Sequence, residues 1–195
     1  MDAKKRIIVG ISGASGAIYG IRLLEILSEI EGVEIHLVVS RAGEKTIRLE
    51  TDAEISDVRR LASFCYDIDD IGASIASGSF SRNGMVVAPC SMKTLSALAN
   101  SYAENLLTRA GDVTIKERKP LLLLVRETPI HLGHIRNMLQ VTQMGALVVP
   151  ASPSFYHRPK SIDELINYII GRMLDLLGVK HDLSKPWTGA DKSYV

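Results

Sequence analysis

The sequence predicts an α/β fold, in which helices cover both faces of a doubly wound, mostly parallel sheet. Short continuous apolar runs, typical of strands buried on both faces, alternate with longer stretches of helical periodicity. Val, Ile, Leu and Ala must fill the core, because aromatic residues make up only 5% of the 195 residues. The alternation of strands and helices favours a sheet with helices packed on each side.

The first forty residues show the pattern most clearly. Residues 6–11 (RIIVGI) form an apolar run, residues 12–16 a turn of small residues, and apolar side chains recur at helical spacing over 17–30. That helix ends at Gly32, and a second strand follows at 33–39. Strand, glycine-rich turn, helix and strand in this order predict a right-handed βαβ unit.

The same alternation continues through the rest of the chain. Three further apolar runs predict strands at 85–88, 121–125 and 147–149. Helical periodicity, with breaks at Gly and Pro, predicts helices at 41–49, 53–63, 68–76, 93–107, 112–119, 131–145 and 162–177. We expect one domain over residues 1–195, with a Rossmann-like or flavodoxin-like arrangement and a polar C-terminal tail at 181–195.

Composition and charge argue against several classes of protein. Lys and Arg (23) nearly balance Asp and Glu (22), so no overall field attracts nucleic acid or an acidic membrane surface. The N-terminal apolar run breaks after six residues, too short for a signal peptide or a membrane span. Cys65 and Cys90 stand alone, which indicates neither a disulfide framework nor a zinc site. We expect a cytoplasmic protein, and the mean hydropathy of +0.13 favours helix faces buried against other subunits.

Polar side chains follow the predicted strands at the point where each strand ends. In strand order, these segments are residues 12–16, 40–41, 90–94, 126–127 and 152–158. Ligands of doubly wound folds bind outside the carboxyl ends of the strands, where the strand order reverses. Two of the segments open helices, so free N–H groups and positive helix dipoles meet hydroxyl groups there. The sequence therefore predicts an anion site at this edge, with phosphate as the expected anion.

The glycine-rich turn separates this chain from several nucleotide-binding classes. Its glycines at 10, 13 and 16 match neither GxGxxG nor the Walker sequence. The second strand ends without the acidic residue that holds the ribose of NAD. NADP remains an alternative, because Arg41 follows that strand and an arginine there suits the 2′-phosphate of NADP. Tyr156 and Lys160 have the spacing of a short-chain dehydrogenase pair, but Pro159 argues against the helix that the pair needs. The turn predicts a phosphate or mononucleotide site, with a purely structural tight turn as the alternative.

Basic residues gather in the second half of the chain. Arg109, Lys116, Arg118 and Lys119 lie within TRAGDVTIKERKP, and Arg172 lies on the last predicted helix. A solvated helix surface is one interpretation of these charges. The other is a second anion pocket, which a mononucleotide and a second phosphorylated substrate together would require.

Three residues of types that often act in catalysis or metal binding are interpreted as structural. Cys90 opens a helix, where a thiolate is favoured, but a small packing residue is the more common role of a buried cysteine. His131 and His134 have the spacing of half a metal site, without a third ligand nearby in the sequence. We expect these histidines at the surface or at a subunit contact.

Matching stretches in order along nearly the whole chain carry a family resemblance, to which Trp187 adds. They are VGISGASGAIYG (9–20), LVVSRA (37–42), LETD (49–52), SIASGSF (74–80), MVVAPCSMKTLSALA (85–99), NLLTRAGDVTIKERKPLLLLVRETP (105–129) and NMLQVTQMGALVVPASPSFYHRP (137–159). Together they resemble the UbiX/Pad-type flavin prenyltransferase family. One departure is Gly111, where many relatives carry Ala.

The resemblance implies a set of site residues. FMN would be held by Gly13, Ala14, Ser15, Ser40, Ser91, Met92, Lys93, Thr94 and Arg126. The phosphate of dimethylallyl phosphate would be held by Arg109, Lys116, Tyr156 and Arg172, some of them from neighbouring subunits. Proton handling would fall to Ser15, Glu50 and Glu127, with Ser15 and Glu127 as a hydroxyl–carboxylate pair. Members of the family form large homo-oligomers, typically dodecamers.

The implied reaction joins a dimethylallyl group to N5 and C6 of reduced FMN, without a metal, and supplies prenylated FMN to a UbiD-type decarboxylase. Cations around the departing phosphate would stabilise its charge, and the chain has no DDxxD cluster for a metal-bound diphosphate. Two alternatives remain: a flavin-dependent decarboxylase that acts directly on an aromatic or cysteinyl acid, and an FMN carrier without chemistry. The chain lacks the PxMN stretch of the cysteine decarboxylases.

Overall fold

The computed structural model describes residues 4–183, in which six parallel strands form one twisted sheet. The strands, numbered along the chain, are β1 (Lys5–Ile11), β2 (Val33–Val39), β3 (Phe64–Tyr66), β4 (Gly84–Cys90), β5 (Leu121–Val125) and β6 (Leu147–Pro150). Their order in the sheet is β3-β2-β1-β4-β5-β6. Residues 184–195, which include Trp187 and most of the predicted tail at 181–195, lie outside the described residues.

Helices cover both faces of the sheet, so the predicted doubly wound α/β class is confirmed. They are α1 (Ala17–Glu29), α2 (Arg41–Glu50), α3 (Ile55–Arg60), α4 (Met92–Ala99), α5 (Leu106–Lys116), α6 (Leu132–Gln143) and α7 (Ile162–Leu176). The apolar side chains of α1, α2, α3 and α7 share one core cluster, and those of α4, α5 and α6 share the other. No helix within residues 4–183 is both long and apolar enough to cross a membrane.

The segment between α3 and β4 differs from the prediction. Phe64–Tyr66 is a strand, paired in parallel with β2 from His36 to Val38, although no strand was predicted there. The helix predicted at 68–76 is wrong, because this segment contains turns and a short 3₁₀ helix at Ser74–Ala76. Asp67 explains part of the difference, since its carboxylate accepts a hydrogen bond from the N–H of Asp69 (2.8 Å) and favours a local turn.

The helix predicted at 93–107 is two helices, α4 and α5, with a turn between them. Ser101 in that turn has a φ of 51°, which ends the helical path. Asn105 then opens α5 with a capping box, in which its side chain accepts from the N–H of Thr108 (3.1 Å) and the Thr108 hydroxyl accepts from the N–H of Asn105 (3.2 Å). The predicted charged helix at 112–119 is the second half of α5.

Candidate functional site

The strand order reverses between β1 and β4, and this point forms the floor of the candidate site. Ser12 follows β1 and is 1% exposed. Its hydroxyl donates to the carbonyl of Pro89 (2.8 Å) and accepts from the N–H of Ser91 (2.8 Å). This pair of bonds fixes the end of β1 against the end of β4, so the two loops above them are held in one place.

Two helices begin at this edge, each behind a serine cap. The Ser40 hydroxyl accepts from the N–H of Gly43 (3.0 Å) at the start of α2. The Ser91 hydroxyl accepts from the N–H of Thr94 (3.2 Å) at the start of α4. Because the first N–H groups of a helix have no partner within it, these two starts present donors and positive dipole ends to a shared space.

Glycine allows the first loop to approach α2 closely. A Cβ added at Gly13 would collide with the Cβ of Ala42, and one added at Gly43 would lie 2.6 Å from the carbonyl oxygen of Ile11. Side chains at either position would therefore push the β1 loop away from the start of α2. The close packing keeps both segments on the wall of one cavity.

That cavity has a volume of about 320 Å³ and is lined by residues that follow β1, β2, β3 and β4, by Asn105 at the cap of α5 and by Thr108 within α5. Gly13, Ser40 and Ser91 are among its lining residues. Two ion pairs stand among the lining residues: Arg41 with Asp69, and Lys93 with Glu104 (3.1 Å). The size and donor set suit a mononucleotide, and cavities of this kind hold small ligands.

The start of α1 already holds a carboxylate. Glu50, at the end of α2, accepts from the N–H groups of Gly16 (2.8 Å) and Ala17 (3.0 Å), and it also accepts from the Ser15 hydroxyl. Partial burial raises the pKa of Glu50, but these hydrogen bonds and the charge of Arg126 outweigh it and leave the pKa below its usual range. Glu50 is therefore ionised at neutral pH, and Ser15, Glu50 and Arg126 form one polar group.

A second cavity, of about 310 Å³, opens beside the first. Met92 lines it, whereas its neighbours Ser91 and Lys93 line the first cavity, so the start of α4 separates the two spaces. Arg126 and Glu127 from the β5 exit loop also line the second cavity. Glu127 accepts from the N–H of Thr128 (3.0 Å), whereas the resemblance pairs it with Ser15, whose hydroxyl bonds to Glu50 in the structure.

The four residues implied for a second phosphate lie on three separate segments: Arg109 and Lys116 on α5, Tyr156 after β6 and Arg172 on α7. Arg109 pairs with Asp112 (3.0 Å) on α5, and Arg172 pairs with Asp175 (2.5 Å) on α7. These two helices pack on opposite faces of the sheet. Tyr156 lies in the loop after β6, where 78% of its surface is exposed.

Comparisons with known proteins agree with this geometry. Residues 1–174 match the Flavoprotein family. The chain is 56% identical over 187 residues to flavin prenyltransferase UbiX of Thauera aromatica, with 96% of each chain covered. It is 54% identical over 188 residues to flavin prenyltransferase UbiX of Escherichia coli K12, covering 95% of this chain and all of that one. The chain belongs to the UbiX-type flavin prenyltransferase family.

Solved structures of the UbiX-type family superpose closely. AnUbiX (PadA1), in complex with FMN and dimethylallyl pyrophosphate, has a TM-score of 0.94 at 45% identity, over 96% of this chain and 100% of that one. A dodecameric FMN-dependent UbiX-like decarboxylase from Escherichia coli O157:H7 has a TM-score of 0.92 at 43% identity, over 94% and 100%. The peptidyl-cysteine decarboxylase EpiD, at 15% identity and a TM-score of 0.63, shares the fold alone.

Some residues that line the first cavity were not singled out from the sequence. Asn105 and Thr108 line the first cavity, and their N-x-x-T spacing is a helix-cap pattern that indicates where α5 begins. Asp69 and Glu104 carried no comparable pattern, because chain folding alone brings them to Arg41 and Lys93.

Cys90 is fully buried, and burial raises the pKa of its thiol to about 12, so its interpretation as a packing residue is confirmed.

Proposed function

We propose that this protein is a flavin prenyltransferase, which joins a dimethylallyl group from dimethylallyl phosphate to N5 and C6 of reduced FMN. The observation that carries the proposal is the pair of neighbouring cavities at the switch point, with Ser15, Glu50 and Arg126 grouped beside them. High identity to flavin prenyltransferases over nearly the full chain supports it. Its product, prenylated FMN, would pass to a UbiD-type decarboxylase.

The first cavity fits the flavin nucleotide. A phosphate would lie at the starts of α2 and α4, since Glu50 already occupies the start of α1. We assign FMN binding to Gly13, Ala14, Ser15, Ser40, Ser91, Met92, Lys93, Thr94 and Arg126. Reduced FMN, the acceptor substrate, supplies the electron-rich N5 and C6 that become bonded to the five-carbon unit as the donor's C–O bond breaks and phosphate leaves.

The donor phosphate requires residues from more than one subunit. We assign it to Arg109, Lys116, Tyr156 and Arg172, whose cationic and hydroxyl groups would stabilise the charge that develops as phosphate departs. Arg109 and Arg172 lie on opposite faces of the sheet, so neighbouring subunits must supply some of the four.

An apolar surface on α6 supports assembly. Leu132, Ile135 and Leu139 are 58%, 48% and 57% exposed, which is unusual for side chains of this size on a lone subunit. We propose a homo-oligomer, and a dodecamer by similarity to the Escherichia coli structure. We also propose a cytoplasmic location, because the free thiols of Cys65 and Cys90 suit a reducing compartment.

Proton transfer is assigned to Ser15, Glu50 and Glu127. Closing the new ring removes the proton of C6 and delivers one to the donor's alkene. Glu50 is ionised and accepts from the Ser15 hydroxyl, so the two can relay a proton between the cavity and solvent. Glu127 lines the second cavity and is exposed, so we assign it as a second carboxylate for proton transfer.

The test is an anaerobic incubation of the protein with FMNH₂ and dimethylallyl phosphate, with mass spectrometry of the flavin. We expect a gain of C₅H₈ and release of one phosphate per flavin; the diphosphate ester, tried in parallel, identifies the preferred donor. The decarboxylase alternative has support in the names of two solved relatives, each 43% identical to this chain. An unchanged flavin mass together with CO₂ from an aromatic acid would favour that alternative, and bound but unchanged flavin without CO₂ would favour a carrier.

A further inference from the structure

Arg82 is a buried arginine with no assigned role. It lies between the 3₁₀ helix and β4, and 2% of its surface is exposed. Its guanidinium donates to the carbonyls of Ser77 and Phe80 (3.4 Å) in the preceding loop. On its other side it donates to the carbonyl of Ala110 (3.3 Å) and the hydroxyl of Thr114 (3.3 Å) on α5. Arg82 thus joins residues 77–80 to the middle of α5.

Burying the charge of Arg82 costs desolvation free energy, so its presence in the interior needs an explanation. All four hydrogen-bond acceptors of Arg82 are neutral, and none of them is a carboxylate that would compensate its charge. Burial lowers the pKa of Arg82; the charge of Glu117 opposes that effect and the charge of Arg109 adds to it. Arginine nevertheless keeps its proton in proteins, so a fixed positive charge lies behind α5.

The two segments that Arg82 joins flank the basic residues of α5. Arg109 directly precedes Ala110, and its charge reaches Arg82. Gly78, in the loop, lies against the end of α5: a Cβ added there would come within 3.0 Å of Lys116 Nζ and would collide with Glu117, which pairs with Lys116 (2.6 Å). The loop is therefore packed directly on the lysine that would bind the donor phosphate.

We propose that Arg82 is a positioning residue for the donor-phosphate site. Its guanidinium holds residues 77–80 against α5 and so fixes where Arg109 and Lys116 point, while its charge adds to the positive potential that attracts the phosphate. A planar fork of five donors suits this bridge, because it reaches two segments at once. The inference rests on the proposed function, in which Arg109 and Lys116 bind the donor.

Arg6 provides a matched control. Arg6 and Arg82 both lie over the ring of Phe80, at 5.4 Å and 5.5 Å from its centroid. Arg6, however, bonds to Glu34 on β2 (2.8 Å) and does not bridge to α5. Loss of Arg6 therefore perturbs the same aromatic ring without releasing the loop from the basic residues.

The experiment compares Arg82→Met, Arg82→Lys and Arg6→Met in the full-length protein. We expect Arg82→Met to raise KM for dimethylallyl phosphate about tenfold or more, while the Kd for FMN stays within about twofold. Arg82→Lys should recover only part of the loss because lysine lacks the fork. Arg6→Met should leave KM within about twofold of the wild type. An unchanged KM in folded Arg82→Met, or an equal rise in Arg6→Met, would overturn the inference.

Thr114→Val keeps the test decisive if Arg82→Met does not fold. It removes the hydroxyl acceptor on α5 and preserves side-chain shape, and KM should rise about two- to fivefold; an unchanged KM then counts against Arg82.

Calorimetric binding of dimethylallyl phosphate to the wild type loaded with oxidised FMN separates the two proposals. If the wild type neither binds the donor nor prenylates flavin, both the proposed function and the inference about Arg82 fail. If it does both and the variants match it, the inference alone fails.

Discussion

The two anion sites proposed for this chain are built in different ways. The proposed flavin cavity is lined by loops of one subunit, because β1, β2 and β4 end side by side and Ser12 fixes two of their loops together. The donor-phosphate residues lie on two faces of the sheet, and Arg109, Lys116 and Arg172 each pair with a carboxylate on their own helix or at its end. Topology brings the residues of the first proposed site together, whereas the proposed function requires assembly to bring those of the second together.

The largest expected effect is the loss of one donor-phosphate cation. Arg109→Met should lower the rate of prenyl transfer by about 10²–10³, the usual loss when a group that stabilises a departing charge is removed. The Kd for FMN should not change, because Arg109 does not line the flavin cavity. Rapid-quench turnover and flavin fluorescence titration measure the two quantities.

Arg60→Met is the control for that substitution. Arg60 pairs with Asp57 at the same i, i+3 spacing on α3, and exposed pairs of this kind contribute little to stability. We expect wild-type turnover from it. Weakened FMN binding in Arg109→Met would contradict the separation of the two sites.

Subunit mixing tests the dependence on assembly directly. If Arg109 and Arg172 of one site come from different subunits, oligomers assembled from equal amounts of Arg109→Met and Arg172→Met should contain intact sites. Random mixing places two wild-type residues together in about one site in four, so activity should return to about a quarter of the wild-type value. Each variant alone should stay inactive, and persistent inactivity of the mixture would mean that both residues act from the same subunit.

Caps at the starts of two helices sharpen the description of the flavin cavity. Ser91→Ala should cost about 1 kcal/mol in the free energy of unfolding and weaken FMN binding about tenfold, because it removes both a cap and a lining hydroxyl. Denaturant unfolding and fluorescence titration give the two values.

Ser161→Ala is the matched control for this cap. The Ser161 hydroxyl accepts from the N–H of Glu164 at the same 3.2 Å, at the start of α7, away from the flavin cavity. It should lose similar stability, about 1 kcal/mol, with no loss of FMN affinity. Equal weakening of FMN binding in both variants would remove Ser91 from the site.

The same contrast separates what the sequence could predict from what it could not. The strands β1 and β2 followed from apolar runs, and an anion site followed from the polar residues after each strand, because parallel topology places those loops together. The assignment of that site to FMN came from the family resemblance. The short edge strand β3 was missed because Phe64–Tyr66 forms a strand through its pairing with β2 rather than through its own pattern. The basic residues Arg109, Lys116 and Arg172 stood out in the sequence as a second anion pocket or a solvated surface. Their assignment to a donor phosphate came from the family resemblance, since neither spacing nor one chain's fold brings Arg109 and Arg172 together.

The smallest expected effect concerns Glu50, which links the two regions from the start of α1. Glu50→Gln should lower the free energy of unfolding at pH 7 by about 0.5 kcal/mol, a small value because the carboxylate is exposed and screened. The folded-state pKa of Glu50 lies below the ordinary value of 4.5. The stabilisation that its carboxylate contributes is therefore fully present above pH 4.5 and is lost as the pH falls through the folded-state pKa. Glu54→Gln, whose side chain makes no cap bond to α3, should show no comparable loss of stability at pH 7. A pH-independent difference in urea unfolding between the wild type and Glu50→Gln would mean that the Glu50 carboxylate does not cap α1.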